Sequence, residues 1–170
     1  YPGISVDNNC VAAPASVVTD CVFIENKSRK GGGIWAQDHS LTVSGSGCKF
    51  VSNVVDSADN LSSGGGLWAT RTTGGPPTVS LTVTDCDFDS NFVRTSGGGV
   101  FAIGINGSLV FERLLFTRNE AGYGSPGRGG AGIWIDGGSP TITECTFTEN
   151  VSSGPGAHSG ALYVAGQGTP

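Results

Sequence analysis

Two short motifs alternate along this chain, and that alternation limits the folds open to it more than any other property. The first is a glycine cluster followed by an aliphatic and an aromatic residue. It runs Gly31 to Trp35, Gly64 to Trp68 and Gly97 to Phe101, then Gly130-Ala131-Gly132-Ile133-Trp134 and Ser159-Gly160-Ala161-Leu162-Tyr163. The aromatic recurs at spacings of 33, 33, 33 and 29 residues. The second motif is Cys-x-Phe-x-x-Asn: Cys21-Phe23-Asn26, Cys48-Phe50-Asn53, Cys86-Phe88-Asn91 and Cys145-Phe147-Asn150. Leu114-Phe116-Asn119 is a further copy with Leu in the Cys place. Before each copy lies a short β-branched run: Val17-Val18-Thr19, Leu41-Thr42-Val43, Leu81-Thr82-Val83, Leu109-Val110-Phe111 and Thr141-Ile142-Thr143.

Each unit therefore holds three short β-type runs separated by turns rich in Gly, Ser, Asn and Asp. Runs this short are not stable alone, and one unit cannot bury its apolar side. Stacking the units solves both problems, because each run pairs with its counterpart at about 4.8 Å and the inward side chains form one core. Helix is excluded by short β-branched runs that Gly interrupts. The expected fold is all-β, a right-handed parallel β-helix of about five coils over 17–170, with residues 1–16 as an N-terminal cap or partial coil. Those first residues read as strand-poor, and 54–63 and 71–79 read as insertions that loop out.

Composition narrows the function classes. A net charge of -5 with nine scattered Lys and Arg argues against nucleic acid, which needs clustered cations. No apolar run approaches the ~18–20 residues of a membrane-spanning helix. A chain that opens at Tyr1 and holds no Met is read as a processed product or a fragment.

The alternation of Phe-x-x-Asn with Gly-Gly-Ala/Gly-aliphatic-aromatic over 17–165 resembles the repeat of the chlamydial polymorphic membrane proteins. More widely, it is similar to the β-helix repeats of secreted surface proteins. The resemblance implies an extracellular or cell-surface protein with a structural or adhesive role, and speaks to the fold far more than to any activity.

Strand parity assigns a role to each column of side chains. Cys and Phe of the second motif share a face and are apolar, so Cys21, Cys48, Cys86 and Cys145 should stack inward, with Leu114 between the last two. Two readings stay open for them: buried thiols, or disulfides between adjacent coils. Cys48, after the lengthened corner Gly45 to Gly47, is the member best able to leave register and pair, and Cys10 lies outside the column. Asn26, Asn53, Asn91, Asn119 and Asn150 should form a structural ladder at the bend, tolerating αL geometry while their amides bridge coils. Outward charges should pair as Asp85–Arg113–Glu144, Lys49–Asp87 and Arg118–Glu149, with a metal or acid–base role for Asp85, Asp87 and Asp89 as the competing reading.

The aliphatics Ile34, Leu67, Val100, Ile133 and Leu162 should point inward, which turns Trp35, Trp68, Phe101, Trp134 and Tyr163 outward as a row. Insertion loops, another chain or stacked sugar rings could cover so large an apolar row. If the parity is reversed, the row is core. The Thr-x-Thr pairs around Val83 and Ile142, with Thr42 and Ser44 around Val43, resemble the face of β-helical ice-binding proteins, with Glu112 and the stretched corner near Ser44 breaking the regularity.

No catalytic constellation emerges. Asp136 stands alone in its column, and His39 and His158 lie far apart in turns. A strand follows each glycine triplet, so none is a phosphate loop. The chain is read as no enzyme, with no metal and no cofactor; a polysaccharide lyase or hydrolase is the minor alternative. Of four Asn-x-Ser sequons, Asn26 and Asn150 belong to the ladder, and Asn60 and Asn106 are the credible glycan sites. The expected partners are other copies of the chain, joined end to end or side by side, or a host or cell-surface ligand, with carbohydrate as a further partner class.

Overall fold

A computed structural model describes residues 4–7, 15–56, 63–75, 78–122, 129–154 and 157–166. All its regular structure is β, and every strand pairing is parallel. Three sheets run along one axis. The aromatic sheet holds six rungs in order: Ile4–Asp7, Ile34–Gln37, Leu67–Thr70, Val100–Ile103, Ile133–Asp136 and Leu162–Ala165. A short sheet of two-residue rungs runs Lys27–Ser28, Val54–Val55, Phe92–Val93, Glu120–Ala121 and Val151–Ser152.

The third sheet is bent, with two limbs. Its first limb carries Ser16–Thr19, Leu109–Glu112 and Thr141–Thr143, and its second Val22–Ile24, Leu115–Thr117 and Thr146–Thr148. In the second and third coils Leu41–Val51 and Leu81–Asp89 run through both limbs without a break. The chain is thus a parallel β-helix of about five coils, as the repeats require.

Between the limbs a single residue turns the backbone with positive φ: Asp20 (51°), Asp85 (56°), Arg113 (54°) and Glu144 (53°). A second corner uses Glu25, Ser52, Ser90, Arg118 and Glu149, all at φ 51–55°. This revises the expectation for the ladder. The residue before each Asn takes the αL strain, and the Asn itself lies at negative φ.

The interior is a set of files parallel to the axis. Phe23, Phe50, Phe88, Phe116 and Phe147 stack with centroids 4.5–4.9 Å apart and ring planes within 11°. Val18, Val43, Val83 and Phe111 form a second buried file, and Ile34, Leu67, Val100 and Ile133 a third. The glycine cluster explains its own composition here. Gly31, Gly64, Gly97 and Gly130 have φ of 53–69°, and a Cβ at Gly64 or Gly97 would overlap the carbonyl three residues on. The third glycine is confined for another reason: a Cβ at Gly33 would come 2.7 Å from the Phe50 ring, and one at Gly99 2.8 Å from Phe116.

Three sequence expectations need correction. The two-residue rungs of the short sheet were not anticipated, and Val54–Val55 is one of them rather than part of an insertion. Val79 is likewise a core residue, 1% exposed, not an outer loop residue. Near the start of the chain, Ile4–Asp7 pairs in register with Ile34–Gln37 as a further rung, so this region is not strand-poor.

Candidate functional site

The aromatic row was the most exposed feature expected, and its geometry differs from that expectation. The register aligns Trp35, Trp68, Phe101, Trp134 and Tyr163 one per rung. Parity places them on the outer side of the sheet, since none belongs to the main core cluster. Yet Trp68 and Phe101 are only 8% and 5% exposed, and the other three are half-buried. The row covers itself. Trp35 stacks on Trp68 at 5.7 Å, Phe101 on Trp134 at 4.6 Å and Trp134 on Tyr163 at 5.6 Å. Trp68 and Phe101 meet at 6.4 Å with a 39° tilt.

Outer groups add to this cover. Lys30 Nζ sits 4.8 Å from the Trp68 centroid and 5.7 Å from that of Trp35, and His158 stacks on Tyr163 at 5.0 Å. A sugar stacks on an open ring face. Trp134 stacks on both Phe101 and Tyr163, and Tyr163 on both Trp134 and His158, so the ring faces of the row turn largely toward each other. The indole N–H groups of Trp35, Trp68 and Trp134 are buried without a hydrogen-bond partner among the described residues.

The ladder asparagines form a continuous chain of amides. Nδ2 of Asn26, Asn53, Asn91 and Asn119 donates to Oδ1 of the next member at 2.9 Å each time. The same Oδ1 also accepts the backbone N–H of the preceding Asn at 3.0–3.1 Å. The second Nδ2 hydrogen goes back one coil, to the carbonyl of Phe23, Phe50, Phe88 or Phe116. Each interior amide thereby uses both donors and both acceptor positions, which suits residues that are 0% exposed. Asn26 donates from Nδ2 to Asn53 and Asn150 from Nδ2 to the Phe116 carbonyl, so both sequons belong to the ladder. Asn106 is exposed and its Oδ1 accepts the Val79 N–H at 3.0 Å. Asn60 and Cys10 lie outside the described residues.

The acidic trio on the outer face resolves into ion pairs. Arg113 grips Asp85 through Nε at 2.6 Å and Nη2 at 2.9 Å, and also contacts Glu112. Lys49 lies 3.1 Å from Asp87. Arg118 donates twice to Asp89 at 2.8 Å, so its partner is the carboxylate of the coil before, and not Glu149 as expected. Arg113 and Arg118 both stand at αL corner positions and both pair with a carboxylate of the preceding coil. Arg94 and Lys27 both contact Asp56, a pairing the alignment of motifs did not reveal. The Arg113 hydrogen bond holds the Asp85 carboxyl below its ordinary pKa, and Arg94 does the same for Asp56. No group of three or more His, Cys, Asp or Glu among the described residues could hold a metal ion.

One pair of polar side chains is brought together only by the coiling of the chain. His39, 8% exposed, hydrogen-bonds through Nε2 to Ser16 Oγ at 2.8 Å, although the two are 23 positions apart. The adjacent Asp38 does not complete a triad. Its Oδ1 accepts the Thr72 N–H at 2.7 Å and its Oδ2 the Thr72 hydroxyl at 2.6 Å, so the carboxylate pins the start of the 71–79 insertion. His39 Nδ1 has no partner among the described residues. The pair has the distance of a nucleophile and base without the third group that would orient the ring.

Cys21, Cys48, Cys86 and Cys145 are thiols in one file, with Leu114 completing it. Cys48 and Cys86 are register partners and essentially unexposed. Burial and the neighbouring Cys48 push the Cys86 thiol far up, and burial raises Cys145 as well. Cys21, Cys86 and Cys145 each donate S–H to the carbonyl two residues back, at 3.1–3.3 Å.

The segment from Asp20 to Gln37 contains the first corner, the first Cys-x-Phe-x-x-Asn, the first glycine triplet and the first Trp. Residues 20–37 match the Chlamydia polymorphic membrane protein repeat. The match covers one instance of this polymorphic membrane protein-type repeat, and the register carries the same path into the four coils that follow. No curated protein and no solved structure matches the chain.

Proposed function

We propose that this chain is a rigid β-helical rod of an extracellular or cell-surface protein, serving as a structural and adhesive element. The observation that carries the reading is the saturated asparagine ladder beside an unbroken phenylalanine file, which turns short runs into one stiff body. The polymorphic membrane protein-type repeat supports placement at a surface. Outward groups are spent on ion pairs and ring stacking, an economy that suits a scaffold. Attachment to other copies or to a cell-surface ligand then falls to the coil ends, the row edges and the exposed turns such as that of Asn106.

Display of the full chain on beads or on a non-adherent cell tests this directly. The expected result is binding to host cells or to beads carrying the same chain, unchanged by Trp68→Phe. Turnover of pectin or alginate by the purified chain, with no gain in adhesion, would overturn it.

A further inference from the structure

The cysteine file contains an asymmetry that bears on its chemistry. In the first, third and fifth coils the corner before the cysteine is one αL residue, and the thiol is tied back to the carbonyl of Thr19, Thr84 or Thr143. In the second coil the corner is three residues long, Gly45-Ser46-Gly47, with Gly45 at φ 108° and a register shift between Ser44 and Cys48. Cys48 therefore follows the longest corner of the file, whose Gly47 N–H donates to Asp20 Oδ1 at 3.1 Å. Its neighbour toward the start of the chain, Cys21, sits one rung away: Lys49 N–H donates to the Cys21 carbonyl at 3.0 Å, and Val22 pairs with Lys49. Cys21 is half-buried and reachable from solvent, whereas Cys48 is not.

Strand spacing of about 4.8 Å falls within the Cα separations a disulfide spans, but it leaves Cβ atoms slightly farther apart than the preferred ~3.8 Å. A shift of about an ångström closes that gap. The corner at Gly45 to Gly47 is where the backbone can supply it.

We infer that Cys21 and Cys48 form an oxidation-dependent axial staple joining the first two coils, with Cys21 as the entry thiol and Cys48 as the resolving one. The oxidant is a small-molecule disulfide. The Cys21 thiolate attacks one of its sulfurs and releases one small thiol, leaving a mixed disulfide on Cys21. The Cys48 sulfur then displaces the second small thiol. The protein loses two electrons and two thiol hydrogens, and the oxidant becomes two thiols. Cys86 stays reduced, because Cys48 is taken by Cys21, the thiol that the oxidant reaches.

Incubating the folded, full chain with oxidised glutathione, then alkylating free thiols and mapping peptides by mass spectrometry, tests the staple. The expected product is a reductant-sensitive Cys21–Cys48 link, with Cys86 and Cys145 alkylated only after unfolding. Cys86→Ser should leave the link intact. Cys48→Ser, or Cys48→Ala if a buried hydroxyl disturbs folding, should arrest the reaction as a glutathione adduct on Cys21. A stable glutathione adduct on Cys21 in the unsubstituted chain would overturn the inference. So would a link from Cys21 to Cys10 or to another chain, or no reaction at Cys21.

Discussion

Asn91, like Asn53 and Asn119, ties neighbouring coils together through a fully buried amide. Replacing it with Ala removes the acceptor for two Asn53 donors and the donor to the Phe50 carbonyl, all in a fully buried place. The expected cost is about 3–5 kcal/mol, measured by urea unfolding, since each buried group left unpaired costs about 1–3 kcal/mol. The opposite sign is expected at Glu144, where a side chain with no described ion pair is held at φ 53°. Asn tolerates that conformation better, so Glu144→Asn should stabilise by about 0.5–1 kcal/mol in the same assay. The ladder was legible in sequence because Asn recurs three positions after every Phe. The αL residue before it was not, since Glu25, Ser52, Ser90, Arg118 and Glu149 share no chemistry that marks a turn. The same blindness explains why Arg118 was paired with the wrong carboxylate.

The glycine-led turn into the aromatic sheet and the corner between the limbs respond to different changes. Gly97→Ala forces an L side chain into φ 69° and against the Val100 carbonyl. The expected loss is about 2–4 kcal/mol in chemical denaturation, combining the αL penalty with overpacking. At the corner, the Asp85 pKa is depressed by Arg113, so its stabilising effect is present above the ordinary value of 3.8 and fades as pH falls through the lower folded value. Melting temperatures of the unsubstituted chain and Asp85→Asn should differ at neutral pH and converge only as pH falls through the depressed folded value, below 3.8. High salt should narrow the neutral-pH gap, because the pair is open to solvent. At this scale the sequence exposed every run with alternating apolar residues. It concealed the two-residue rungs such as Lys27–Ser28 and Glu120–Ala121, whose pairing is imposed by the coils around them and has no pattern of its own.

Along the whole molecule, protection should follow the files. Phe50, Phe88 and Phe116 are completely buried, whereas Phe147 and Ile142 are half-buried and Val164 is 46% exposed. Hydrogen exchange should be slowest across Leu81–Asp89 and Leu115–Thr117 and fastest across Thr141–Ser152 and Leu162–Ala165, because units of a solenoid open by nearest-neighbour contacts. Uniform protection from end to end would show instead that the coils open as one.

Five evenly spaced residues mark the aromatic row in the sequence but not its closure, since ring faces turned toward each other are a property of rotamers rather than of spacing. The amide row has a further property. From Asn26 to Asn119 every carboxamide sends one Nδ2 hydrogen to the later coil, where the oxygen of the next Asn faces back to receive it. The stack of coils thus has a direction along its axis, and a coil that continues the row past Asn150 does so by bringing an amide oxygen to it.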